Sequence, residues 1–158
     1  MNNNEKLDAS NGPMEEFVTV IIDGQLFGLP ISRVQDVFML KDMTEVPLTI
    51  PEIAGVLNLR GRIVTAINMR HRLGLPPQAE GETSMAVGIE RDRESFGLVI
   101  DRIGDVLHLP INEFDANPVN LDPRWKSVAS SIFMLKSELL VILDVDRVLD
   151  LGNREIAA

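Results

Sequence analysis

Apolar and β-branched residues gather in short runs along this chain, and each run is closed by a turn signal. The first, Phe17-Val18-Thr19-Val20-Ile21-Ile22, ends at Asp23-Gly24 and is answered by Leu26-Phe27-Gly28-Leu29. An Asp-Gly pair between apolar runs is a strong hairpin signal, because a two-residue turn needs left-handed backbone at both positions. Similar runs predict strands at about 55–60, 62–68, 85–90, 95–101, 103–109, 129–135 and 138–144. Strands this short and closely spaced belong to small barrels or sandwiches. Helical signals are fewer. Pro51 opens a predicted turn over Glu52-Ile53-Ala54 that Gly55 stops, and Met69 to Leu73 predicts another before Gly74. The best helix is C-terminal, where Val145, Val148, Leu149 and Leu151 share a face behind an Asp144 cap.

The runs repeat. The segment from Phe27 to Leu40 lies over Phe96 to Leu109 at an offset of 69, with eight of fourteen positions identical. A weaker echo at an offset of 76 sets Leu59-Arg60-Gly61-Arg62-Ile63-Val64 against Leu135-Lys136-Ser137-Glu138-Leu139-Leu140. The larger offset calls for a longer loop in the second half, which Pro110 to Ser127 can supply. Two copies are too few for a solenoid. They fit an internal duplication, two similar β units about a pseudo-two-fold axis. Units of roughly 50–70 residues are marginal alone, so the two share an interface. The expected organisation is a disordered tail over 1–13, a folded domain over 14–152 split at about 14–80 and 81–152, and a tail over 153–158.

Composition removes several classes of chemistry. Cysteine is absent, which excludes disulfides, thiolate metal sites and thiol nucleophiles. A net charge of −9 repels phosphate backbones, so no nucleic-acid partner is expected. The longest apolar stretches are strand length, far below the ~20 residues of a spanning helix, and the N-terminus lacks a signal-peptide pattern. A cytoplasmic protein without direct membrane insertion is the expectation. His71 and His108, in different halves, lack a ligand pattern; His71 sits among arginines, and His108 between Leu107 and Leu109 reads as a strand side chain facing water. Phosphate-cradling loops and nucleophile motifs are missing, so no catalytic residue, cofactor or metal is predicted. Trp125, the sole tryptophan, is expected to plug a seam between loop and core.

Gly55 to Leu75 stands out, because Arg60, Arg62, Arg70 and Arg72 form a local basic cluster in an acidic chain. Arg60 follows alternating leucines and precedes Gly61, which predicts a tight turn with an arginine able to reach a carboxylate. Asn58-Leu59-Arg60-Gly61-Arg62-Ile63-Val64 with Asn68-Met69-Arg70 resembles the signature hairpin of the CheW family. Val34-Gln35-Asp36-Val37 upstream, and Gly97-Leu98-Val99-Ile100-Asp101 with Gly104-Asp105-Val106-Leu107 downstream, extend the resemblance from about Phe17 to Leu151. The departures are Thr65, Asn68 and Met69, where the family often has proline, aspartate and leucine, and the looser Leu135-Lys136-Ser137-Glu138.

The resemblance implies a mainly β fold of two small five-stranded β-barrels with short helices. It also implies a non-catalytic adaptor between the cytoplasmic tips of methyl-accepting chemoreceptors and the regulatory domain of a CheA-type histidine kinase. Such a protein is monomeric alone and arrayed with its partners. Carried over position by position, Val34, Asp36, Gly55, Arg60, Met85 and Gly97 fall at the family's coupling positions. Asn58, Gly61, Arg62 and Arg70 fall where the hairpin is built. For Gly28, Gly55 and Gly97 a close backbone approach or a bulge is an equal reading. Combining the two repeat offsets predicts an Arg60–Asp36 ion pair and a matching Lys136–Asp105 pair. The alternatives are a CheW-like scaffold in a pilus or developmental pathway, a small ligand-binding β-barrel, and a hydrolase with no visible nucleophile.

Overall fold

A computed structural model of the chain describes residues 13–40, 51–79, 82, 84–115 and 121–150. These form two five-stranded sheets with short helices between strands. The strands are β1 (Met14–Ile22), β2 (Gln25–Pro30), β3 (Asp36–Met39), β4 (Ile53–Leu59), β5 (Arg62–Asn68), β6 (Met85–Arg91), β7 (Glu94–Ile100), β8 (Arg102–Pro110), β9 (Ala129–Met134) and β10 (Leu139–Leu143). The helices are α1 (Met69–Arg72), α2 (Pro123–Lys126) and α3 (Val145–Leu149), with 3-10 turns at Ile31–Arg33 and Ile111–Glu113. None is long and apolar enough to cross a membrane.

The first sheet has the order β8-β1-β2-β10-β9 and the second β3-β6-β7-β5-β4. Replacing β1 to β5 by β6 to β10, and the reverse, turns one order into the other. The register agrees with the sequence repeat. Gly28 of β2 stands beside Ile142 of β10, and Gly97 of β7 beside Ala66 of β5, pairs related by the offsets of 69 and 76.

The duplication is therefore real, but its halves do not each build a sheet. β1 and β2 complete their sheet with β8, β9 and β10, while β6 and β7 complete theirs with β3, β4 and β5. A boundary near residue 80 separates the repeats without separating the sheets. Neither sheet closes by hydrogen bonds among the described residues, so the barrels expected from the resemblance are open five-stranded sheets with edges at β8 and β9, and at β3 and β4.

Period-two alternation sends each strand's side chains to two different cores. One face of both sheets forms the shared core, with Val20, Phe27 and Leu29 meeting Ile67, Val87 and Leu98. The other face of each sheet covers a smaller cluster: Phe17, Leu109, Leu140 and Ile142 in the first sheet, Leu57, Val64 and Ala66 in the second. Burying both faces explains why β10 reads Leu-Leu-Val-Ile-Leu without polar interruption.

Several local expectations change. Residues 53–54 begin β4 instead of a helical turn, because Ile53 continues an alternation that pairs with Ile67 of β5. β3, absent from the sequence reading, is held to β6 from Asp36↔Gly88 to Met39↔Met85. α1 does form, capped by the Asn68 side chain, which accepts from the His71 amide at 3.1 Å. Asp144 caps α3 in the same way, accepting from Arg147 at 3.2 Å. Trp125 fills the seam as expected, meeting Phe27 edge-on and donating its indole N–H to the Leu73 carbonyl at 2.9 Å. Leu151, residues 1–12 and residues 153–158 lie outside the described residues; the carbonyl of Pro13 accepts from the Ile111 amide.

Candidate partner-binding surface

Leu59 and Arg62 face one another across the β4–β5 hairpin, leaving Arg60 and Gly61 as a two-residue turn with φ of 54° and 83°. Both angles are left-handed, so Gly61 carries no Cβ penalty while Arg60 bears one. Asn58 fixes the turn by accepting the Gly61 amide at 2.9 Å. The hairpin roles expected of Asn58 and Gly61 are thus local hydrogen-bond geometry.

Arg60 reaches across the mouth of the second sheet to Asp36, with 3.6 Å between the charged groups. These residues belong to opposite edges of the sheet, so the strip curls until β3 and the β4–β5 tip meet. Arg60 is 80% exposed, and such pairs are worth ~0–1 kcal/mol. The contact marks geometry more than stability. The matching pair does not form: Lys136 and Asp105 are both exposed, and no ion pair joins either to another of the described residues. Its hairpin, with Met134 facing Leu139, has the longer loop Leu135–Glu138 and carries Lys136 elsewhere.

Behind Asp36 the register reveals a row through all five strands: Gly55, Ala66, Gly97, Gly88 and Asp36. Four of the five have no side chain beyond Cβ, and three, Asp36, Gly55 and Gly97, are among the positions that the family resemblance marks for coupling. Gly55 lies at the bulge of β4. A methyl on Gly97 would meet Phe38, Val64 and Ala86 at 3.4–3.5 Å, an ordinary contact. A methyl on Gly88 would run into the Asp36 carboxylate. Gly88 therefore makes the space that Asp36 occupies, a role missed in the sequence although Gly88 lies at the heart of an apolar β6 run. The row lets the sheet bend tightly over its small core.

Val34 is half-buried against the shared core between the 3-10 turn and β3. Met85 is half-buried opposite Met39, beside the exposed Val37 and Met39 of the β3 edge. Asp36 and Arg62 line the mouth of the second sheet and Arg60 reaches Asp36 there, whereas Val34 packs against the shared core and Gly55 and Gly97 are buried beneath the mouth. Arg70 is elsewhere. It sits beyond the far end of β5, about 20 Å of strand from Arg62, so the four arginines form two groups and no single basic cluster.

At that far end Arg70 grips Asp101, the one residue between β7 in the second sheet and β8 in the first. Its guanidinium donates to both carboxylate oxygens at 3.2 and 2.6 Å and to the Pro76 carbonyl at 2.7 Å. Burial opposes ionisation of Asp101, but the bonds from Arg70 and from the Asp23 amide outweigh it and hold the carboxyl below its ordinary range. A polar cleft of about 600 Å³ opens here between Asp23, Arg70, Gln78 and Glu82. The histidines, which the sequence left without carboxylates, each have one from a distant segment: His71 faces Glu52 at 4.0 Å and His108 faces Glu16 at 3.9 Å.

A family model described as the CheW-like domain matches residues 16–152, nearly the whole described fold. The chain belongs to the CheW-like family. Among the CheW proteins it resembles, the chemotaxis protein CheW of Bacillus subtilis is 28% identical over 144 residues, covering 90% of this chain and 92% of that protein. The chemotaxis protein CheW of Thermotoga maritima is 27% identical over 135 residues, covering 85% and 87%. In three dimensions the scaffolding protein TtCheW from Thermoanaerobacter tengcongensis superposes with a TM-score of 0.79 at 21% identity, over 89% of this chain and 91% of that one. That superposition shows a shared CheW fold.

Proposed function

We propose that this CheW-family protein is a non-catalytic adaptor that couples the cytoplasmic tips of chemoreceptors to the regulatory domain of a CheA-type histidine kinase. It works in the cytoplasm, at membrane-associated arrays reached through those partners. The supporting relatives are named as chemotaxis proteins, and the solved neighbour as a scaffolding protein. The observation that carries the reading is the meeting of Asp36 and Arg60 at the open mouth of the second sheet, braced from behind by Gly88 and Asn58. Charged groups held in a fixed frame beside exposed Val37 and Met39 suit recognition of a helical tip by both polar and apolar contacts.

The test mixes the purified protein with a receptor cytoplasmic fragment and the kinase, and reads ternary complex formation and kinase activity. Wild type should assemble and alter kinase activity, and Arg60→Ala should weaken assembly while leaving the fold intact. Failure of the wild type to bind either partner would reject the adaptor reading.

A further inference from the structure

The chain passes from the first sheet to the second through residues 31–35, which carry Val34 and lead directly into Asp36, the first residue of β3. The other crossing needs Asp101 alone. Five residues without a strand ladder require anchors. Two are backbone bonds: the Val34 amide to the Ile31 carbonyl at 3.1 Å, and the Gln35 amide to the Gly88 carbonyl at 2.8 Å. The third is the Gln35 side chain, which donates to Glu90 at 2.6 Å, and the fourth is Arg33, which grips Asp146 of α3 with two nitrogens on two oxygens at 3.2 and 3.1 Å.

α3 is itself fastened from several sides. Arg91 donates to the carbonyls of Asp146 and Leu149, and Arg72 to those of Arg147 and Val148. Its apolar side, Val145, Val148 and Leu149, is buried in the shared core. A five-residue helix held this way is a fixed post, and Arg33 ties the crossing to it. The fork geometry sets direction as well as distance.

We propose that Arg33 and Asp146 are a positioning pair for the partner surface, fixing the 31–35 crossing so that Asp36, which follows it directly, meets the partner in register with Arg60. This rests on the adaptor reading and goes beyond it, because it enlists the C-terminal helix, which lies on the other sheet's chain segment, in partner recognition. Arg33 and Asp146 touch the partner only through what they hold in place.

The experiment measures affinity for a receptor cytoplasmic fragment, together with thermal unfolding, for wild type, Arg33→Glu, Asp146→Arg and the double exchange R33E/D146R. Each single variant should bind about fivefold more weakly, the size of a modest coupling, with an unfolding midpoint within about 2 °C of wild type. The double exchange should return affinity to within about twofold. Wild-type affinity in Arg33→Glu would overturn the proposal. So would a double exchange as weak as Arg33→Glu, since Arg33 would then be touching the partner itself. A wild type that binds no receptor fragment brings down the adaptor reading first, a result distinct from either.

Discussion

The two sheets share one strand order and one register, yet the same row is filled differently in each. In the second it reads Gly55, Ala66, Gly97, Gly88 and Asp36. In the first the matching places hold Ser131, Ile142, Gly28 and Thr19, and Thr19 bonds the Asp105 carbonyl at 2.6 Å across a bulge in β1–β8. One sheet fills its fold with side chains and the other empties it, while both end on a carboxylate, Asp105 in the first and Asp36 in the second. Duplication gave two equivalent frames, and only in the emptied one do the matching acid and base, Asp36 and Arg60, meet across the mouth. The crossings differ in the same sense. Asp101 is gripped by an arginine only 15% exposed, whereas Arg33 and Asp146 are 31% and 59% exposed.

The largest effect should come from the tight crossing. Arg70→Ala strands a largely buried carboxylate and frees the Pro76 carbonyl, with an expected loss of about 2 kcal/mol in urea unfolding at pH 7. Because Asp101 has a depressed folded pKa, its contribution is present above its unfolded value of 3.8 and fades as pH falls through the lower folded value. The gap between Arg70→Ala and wild type should therefore narrow between pH 5 and pH 3; an unchanged gap would mean that the arginine acts by packing alone.

Next comes the row. A methyl on Gly28 would sit 2.9 Å from Ile142 Cδ1, against 3.4 Å for the nearest neighbour of Gly97. Gly28→Ala should cost about 1 kcal/mol, while Gly97→Ala should stay within about 0.5 kcal/mol of wild type. Equal losses would erase the contrast between a filled and an emptied row.

The hairpin turns follow. Asp23-Gly24 in the first sheet corresponds to Asp92-Arg93 in the second, where Arg93 takes φ of 68° without a glycine. Arg93→Gly should raise stability by about 0.5 kcal/mol in the same urea titration. Smallest is Arg33→Ala, an exposed pair whose loss should cost less than about 0.5 kcal/mol. A loss matching that of Arg70→Ala would show the two crossings to be equally tight.

The strand runs and the repeat were legible because burial writes itself into period-two alternation and because Phe27-Gly28-Leu29 recurs as Phe96-Gly97-Leu98. The Arg60–Asp36 pair followed from the two repeat offsets, which set an acid and a base at matching places in each half, though only the first of the two pairs forms. Strand exchange was not legible: a repeat says which segments are alike and nothing about which copy each one pairs with. β3 was missed since Gln35-Asp36-Val37-Phe38-Met39 lacks clean alternation and is completed only by β6. Pro51 signalled a helix that pairing of Ile53 with Ile67 overrode. The four arginines read as one cluster because proximity along the chain concealed a full strand between Arg62 and Arg70. Gly88 was visible as a residue, but its partner Asp36 lies 52 positions away.

The exchange of strands also sets the order in which the molecule can be finished as it is synthesised. All five strands of the second sheet lie between residues 36 and 100, so that sheet can assemble while the C-terminal third is still unmade. β1 and β2 come first but must wait as a two-stranded hairpin, marginal in water, until β8, β9 and β10 arrive. Phe27 and Leu29 stay uncovered by their own sheet's later strands during that interval, an opening for misassociation. The first strands made are thus the last to be secured, and Leu139–Leu143 is the segment that secures them.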